Sequence, residues 1–333
     1  MTRRRIVVSA PGRANLIGNP SDLYGGRQVS CSLALRARAS LEARDGTSLA
    51  TSGRETRICD AADLDPRGDL LDLGRAVLRF VGPPLPRARI DLASEIPLAS
   101  GLAGSAALVV ALLRALRAWR GEPAGGHRLA EEARSVERDG MGAVCGFGDP
   151  YMAVFGGLRF LDFRGKGYGA PGERSELATV EDLGPFVAPP PFIVASTGIR
   201  HSSSAVHAPI CERWRSGERE VVAGYERVSA LGAIGKSALL DGDWAVLGAA
   251  MNENHAIQRS FGGSGPANER LIDAALEAGA PGAKLAGAGQ GGTIVVLWPV
   301  GDRAPLERAL LDAGAVALHP VDPVEGVRID LGI

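Results

Sequence analysis

Cysteine is scarce in this chain and unpaired in pattern. Cys31, Cys59, Cys145 and Cys211 are scattered, with no C-x-x-C pair. That argues against a disulfide scaffold, and free buried thiols are expected instead. Long apolar runs are also missing. The longest, Ala106 to Leu113, stops at Arg114, well short of a membrane span. Behind three N-terminal arginines only Ile6 to Val8 is apolar, too short for a signal peptide. A cytoplasmic protein without a membrane partner is expected. Excess charge of one sign is absent too: 37 Lys and Arg stand against 38 Asp and Glu. No overall basic field therefore argues for nucleic acid. There is no internal repeat and no low-complexity tract.

Glycine, by contrast, is abundant, at 45 of 333 residues. Many backbone positions can be sharp turns or close approaches to a ligand. Ile6 to Ser9 reads as a strand running into a loop, Ala10 to Gly26, dense in Gly, Pro and Asn. Gln28 to Ala43 alternates well enough for one or two strands. Helical spacing covers Leu70 to Phe80, Ala106 to Trp119 and Arg128 to Arg138, with a strand before Pro97. Tyr151 to Phe163 starts helical and turns to strand. The Pro-rich run Pro185 to Pro191 looks like a boundary, giving domains of 1–188 and 189–333. Beyond it come a strand at Phe192 to Ala195 and helices near 208–215, 218–240, 244–255, 269–278 and 306–313. A glycine loop feeds a strand at Thr293 to Leu297, and Val327 to Leu331 closes the chain as a strand. Helices and strands mix without a βαβ rhythm, which favours α+β in two lobes over a doubly wound sheet.

The most strongly apolar helix opens with Gly101-Leu102-Ala103-Gly104-Ser105. The first N–H groups of a helix have no internal partners, and its dipole is positive there. Glycines let a phosphate come close to those groups. Alone, the segment reads as an ordinary helix start with a serine cap. It is neither a Walker loop nor a dinucleotide G-x-G-x-x-G. It has company, however: "PGRANLIGNPSDLYGG" lies before it and "KLAGAGQGG" near the end of the chain.

These three segments, in this order, resemble the GHMP kinase superfamily of galacto-, homoserine, mevalonate and phosphomevalonate kinases, over nearly the whole chain. The resemblance implies an N-terminal ribosomal-S5-like α/β domain and a C-terminal ferredoxin-like α+β domain. It implies an ATP-dependent small-molecule kinase with Mg²⁺. "GNPSDLYGGR", "SSAVHAPICERWRSGE", "MNENHAIQRSFG" and "GDPYMAVFGGLRFLDF" further resemble plant-type glucuronokinases. That likeness points to the anomeric hydroxyl of a uronic acid such as D-glucuronate. Kinases for other sugars or heptose phosphates, and mevalonate-type or homoserine-type kinases, are the alternatives. A non-catalytic member of the fold should have lost the loop or the aspartate below, and both are present.

By this resemblance the triphosphate loop comprises Pro97, Ser100, Gly101, Leu102, Ala103, Gly104, Ser105 and Ala106, with Gly287 and Gly289 from the third segment. Ala106 stands where relatives often have a second serine. Mg²⁺ is expected on Ser105 and Glu137. Asp149 is the expected catalytic carboxylate, preceded by Gly148 where relatives carry Gln. Arg13, after Ala-Pro-Gly, is its expected cationic partner. Asp149 then either takes the acceptor proton or only orients the hydroxyl, and the sequence leaves both open. Asn19, Asp22 and Tyr24 are expected to bind the acceptor, with Thr197, Gly198, His201 and Arg259 across the cleft. The loss of a Glu-His pair before Asp22 argues against galactose. Arg27 and Arg200 are further candidates to grip a carboxylate, since a guanidinium can do so with two bonds. The expected partner is a small sugar or sugar acid, and the expected state a monomer or homodimer.

Overall fold

The apolar start Ile6-Val7-Val8 opens strand β1, but β1 does not stop there. It runs from Arg5 to Ile17, through most of the segment expected to be a loop. Every residue from Ile6 onward is buried, so no in-out alternation marks it. Pro11 sits where the register against the next strand shifts, the kind of site that tolerates a proline in a sheet. A short 3-10 turn at Ser21–Tyr24 follows. The structure, a computed structural model, describes residues 4–166, 177–187 and 190–332. The expected boundary at 188/189 therefore falls on residues outside the described ones.

The first sheet continues with β2 (Arg27–Ala43), β3 (Thr47–Thr51), β4 (Arg54–Ile58), β5 (Ala88–Ser94), β6 (Leu158–Asp162) and β7 (Thr179–Asp182). The alternating segment of 28–43 is thus one strand, long enough to pair with β1 along one side and with both β5 and β6 along the other. The second sheet is built from β8 (Phe192–Ser196), β9 (Gly282–Leu285), β10 (Thr293–Leu297) and β11 (Ala317–Pro320), in the order β11-β8-β10-β9. β12 (Arg328–Gly332) leaves that half of the chain and pairs antiparallel with β1. The first sheet accordingly has the order β12-β1-β2-β5-β3-β4, with β6 and β7 off β2.

Helices α1 (Asp72–Val81), α2 (Gly104–Arg120), α3 (Gly126–Ser135) and α4 (Gly148–Phe155) belong to the first half. α2 packs on β1 and β2, with Ala107, Val109, Val110, Ala111 and Leu112 all fully buried. At roughly 1.5–3 kcal/mol per large apolar side chain, the valines and leucines of this helix, buried nearly all round, are a major term in holding the half together. Helices α5 (Ser203–Arg215), α6 (Arg219–Asp241), α7 (Trp244–Ser260), α8 (Pro266–Glu277) and α9 (Ala304–Asp312) complete the fold. The chain adopts the expected α+β architecture, built among the described residues on two sheets. The hairpin β3–β4 and the short strands β7 and β11 have no legible pattern in the sequence. Among the described residues no helix is long and apolar enough to cross a membrane.

Candidate active site

α2 starts two residues earlier than its apolar pattern, at Gly104, and Ser105 is its second residue rather than its cap. No side chain caps this end of the helix. Ala99, Gly101 and Ala103 before it have φ of 54°, 77° and 62°. Such values are uncommon for residues with a side chain and collect at ligand-binding turns. Gly101 lies against Gly287, where a Cβ would come within 2.9 Å of the Gly101 carbonyl. Two backbones thus meet edge to edge at the mouth of an uncapped helix, an arrangement suited to anionic oxygens.

A cavity of about 440 Å³ opens at this loop. Arg13, Asn19, Asp22, Ser100, Gly101, Ala103, Gly104, Ser105, Ala106, Glu137, Asp149 and Gly287 all lie on its wall. Arg13 comes from β1 and is buried. Its Nε donates to Asp149 Oδ1 at 2.8 Å, and its Nη2 lies 2.6 Å from the same oxygen. Its Nη1 donates to the Gly101 carbonyl. One guanidinium therefore ties the α4 carboxylate to the glycine loop and leaves Asp149 Oδ2 for another partner.

Asp22 lies beneath the turn that carries Asp149. Its Oδ2 accepts from the Gly148 N–H at 2.8 Å. A Cβ on Gly146 would stand 2.0 Å from that same oxygen, so the turn closes over the carboxylate only because residue 146 is glycine. Burial, and then the charge of Asp149, push the Asp22 carboxyl above its usual range. Glu137 sits on a π-helical turn, Val136–Gly140, that continues α3. Burial pushes its carboxyl up to about 7, although a hydrogen bond from Ser105 works the other way. His207, from α5, is pushed down to about 4 by burial and is neutral at physiological pH.

Other expected residues lie off this wall. Pro97 and Leu102 shape the loop through their carbonyls, which accept from Ser100 Oγ at 2.8 Å and Arg13 N at 3.1 Å. A Cβ on Gly289 would meet the Gly263 carbonyl at 1.8 Å. Tyr24 is stacked on Tyr225, with ring centroids 4.1 Å apart, and its hydroxyl meets Cys211 Sγ at 3.4 Å. Thr197 donates to the Gly292 carbonyl at 2.9 Å, and Gly198 packs near Val316. Arg200 and His201 line a separate groove of about 430 Å³. Arg259 is paired with Glu269 at 3.2 Å, and the Arg27 Nε with Ser229 Oγ at 3.4 Å. None of these arginines faces the cavity.

The cavity also gathers residues given no role from sequence. Ser203, Ser204 and His207 on α5 close one side, and the Val144 N–H donates to Ser204 Oγ at 2.6 Å. Leu70, Leu73, Leu98, Leu108 and Met141 make one part of the wall apolar. The apolar group is assembled from distant segments and has no signal in spacing, whereas the α5 group lies in one segment whose sequence does not say that it faces this cavity.

Comparison with known proteins fits this arrangement. Residues 72–157 match the family described as GHMP kinases N terminal domain, and 236–315 match GHMP kinases C terminal. The mevalonate kinase of Archaeoglobus fulgidus is 31% identical over 294 residues, covering 88% of this chain and 92% of that protein. The chain belongs to the GHMP kinase superfamily. Within that superfamily it is also 27% identical to the mevalonate kinase of Pyrococcus abyssi, over 98% of each chain. Over 48% of its length it is 30% identical to a Campylobacter jejuni D-glycero-alpha-D-manno-heptose 7-phosphate kinase, covering 51% of that protein. Residues 2–42 match the galactokinase galactose-binding signature. In fold it is similar to the Lactococcus lactis galactokinase complexed with galactose, with TM-score 0.78, 16% identity and coverage of 97% and 95% of the two chains. No feature of these relatives singles out glucuronate. GHMP kinases are ATP-dependent phosphotransferases, so ATP is the implied donor for this chain as well.

The Arg13 link invites a direct test. Arg13→Ala is expected to lower kcat about tenfold while moving KM for ATP less than about threefold in steady-state assays. A change confined to KM for ATP would put Arg13 in the nucleotide site instead.

Proposed function

We propose that this GHMP kinase transfers the γ-phosphoryl group of ATP to a hydroxyl of a neutral, polyhydroxylated sugar. One observation carries the choice of acceptor: the charge balance of the cavity. Among the described residues on its wall, Arg13 is the one lysine or arginine, and Asp149 already holds it. His207 is neutral, and Asp22, Asp149 and Glu137 are all carboxyls. A uronate or mevalonate carboxylate would find no free cation there and would face like charge. The arginines expected to grip a uronate are spent on other partners or face the other groove. A sugar hydroxyl, by contrast, can donate to Asp22 and accept from Asn19.

In this reading the triphosphate lies on Gly101 to Ala106 and Gly287, and the base against Leu70, Leu73, Leu98, Leu108 and Met141. Asp149 Oδ2 accepts the hydrogen bond of the acceptor hydroxyl and aims its oxygen at the γ-phosphorus. Because phosphoryl transfer has a loose transition state, aim counts for more than proton abstraction. Glu137 and Ser105 suit a hard cation: the carboxylate is buried beside the cradle with a hydroxyl as its hydrogen-bond partner. Among the described residues no cluster of three or more His, Cys, Asp or Glu could hold a metal, so phosphate and water oxygens would complete the shell. Mg²⁺ bound there would offset the negative charge of the phosphates.

ADP release measured with D-galactose, other neutral hexoses, D-glucuronate, a heptose 7-phosphate and R-mevalonate tests the proposal. A neutral sugar is expected to have the highest kcat/KM, by about tenfold or more. Mevalonate in first place would replace the sugar reading with the one that the curated mevalonate kinase relatives favour.

A further inference from the structure

Lys284 opens the third glycine segment, yet it is not part of the cavity wall. It lies on β9, fully buried. Its Nζ donates to Asn19 Oδ1 at 2.5 Å and to the Leu285 carbonyl at 2.5 Å. Among the described residues it pairs with no carboxylate. Both bonds run from the amine to an oxygen, so it is the oxygen of the Asn19 amide that faces Lys284. The NH₂ group of Asn19 is then directed the other way. That nitrogen is buried without a protein partner, and Asn19 forms part of the cavity wall. The backbone around it is fixed as well. Asn254, a fully buried residue of α7, donates to the Asn19 carbonyl at 3.0 Å and accepts from the Gly18 N–H at 2.9 Å.

We infer that Lys284 is a positioning residue for the acceptor: by holding Asn19 Oδ1 it turns the Asn19 NH₂ toward an acceptor oxygen and so sets what this wall recognises. The inference rests on the cavity being the acceptor site of a kinase. Burial, and then the charge of Arg13, move the Lys284 amine well below the ordinary lysine range. The same segment reaches Gly287 against Gly101 three residues later, so one stretch of chain supports both the phosphate loop and the acceptor wall.

The test uses Lys284→Met, Lys284→Gln, Asn19→Ala and the double variant Asn19→Ala/Lys284→Met, each checked for folding by thermal melting. With the best acceptor of the panel above, Lys284→Met should raise the acceptor KM about tenfold and leave KM for ATP within about twofold. Asn19→Ala should do the same, and the double variant should be no worse than the poorer single one. Lys284→Gln, which keeps an NH₂ donor, should recover part of the loss. Additive losses, or equal changes in both KM values, would overturn the inference. If Lys284→Met does not fold, Lys284→Gln and Asn19→Ala carry the same comparison. If no acceptor in the panel is phosphorylated, the functional proposal fails by itself, and NMR still decides the role of Lys284. The Asn19 side-chain amide signals, assigned by their loss in Asn19→Ala, should shift in Lys284→Met. Signals that stay in place would overturn it.

Discussion

Asp149→Asn is expected to lower turnover by about two to four orders of magnitude, the scale of combined positioning and proton-transfer effects. The reason lies in how Arg13 meets it. Nε and Nη2 both point at Oδ1, so an asparagine would turn its oxygen to the guanidinium. Its NH₂ would then replace Oδ2 and present hydrogens to the acceptor hydroxyl, donor against donor. The hydroxyl must turn its own lone pair toward the amide, and the oxygen that should attack phosphorus is aimed elsewhere. KM for ATP should change little, since the cradle is backbone. Single-turnover and steady-state assays with the best acceptor read this directly. A kcat within about tenfold of the unaltered enzyme would remove Asp149 from the chemistry.

Glu137→Gln should separate two effects of one side chain. In the nucleotide-free protein the folded carboxyl titrates near pH 7, raised from 4.5 by burial. Between those values the folded chain keeps a proton that the unfolded chain has lost. Stability therefore falls as pH rises from about 4.5 to about 7 and is flat above, a loss of up to about 3 kcal/mol. A glutamine amide cannot titrate, so Glu137→Gln should match the parent near pH 5 and exceed it near pH 8 in thermal melts without Mg²⁺. Activity should move the opposite way, with turnover down by about a hundredfold and much more Mg²⁺ needed for half-maximal rate. A variant less stable than the parent at pH 8 would mean the carboxylate is compensated within the protein, and the cation assignment would fall.

The parts of this molecule that are legible in its sequence are those encoded locally. The glycine cradle announces itself because a helix start needs neighbours of particular kinds within a few residues. Arg13, Asn19, Asp22, Ser105, Glu137 and Asp149 stand out by motif, and they line one cavity. Residues 10–17 read as loop, and wrongly, because a strand buried on both faces lacks alternation and its Gly and Pro look like turn formers. The acceptor side is the hardest to read. Whether Arg259 or Arg27 grips a substrate depends on whether Glu269 and Ser229 reach it first, and partners in tertiary space have no local signature. The same holds for α5, whose Ser203, Ser204 and His207 reach the cavity from the far half of the chain.

The return of β12 to β1 also bears on how the chain comes off the ribosome. Ile6 is made long before its ladder partner, Gly332. At about 5–20 residues per second, the outer edge of β1 waits on the order of tens of seconds for its neighbour. During that time the strand that carries Arg13 exposes unpaired amides, an invitation to pair with another nascent copy. Expression of residues 4–187 alone would make that interval permanent. Adding a peptide spanning residues 321–332 in trans should then rescue solubility where lowering the temperature does not.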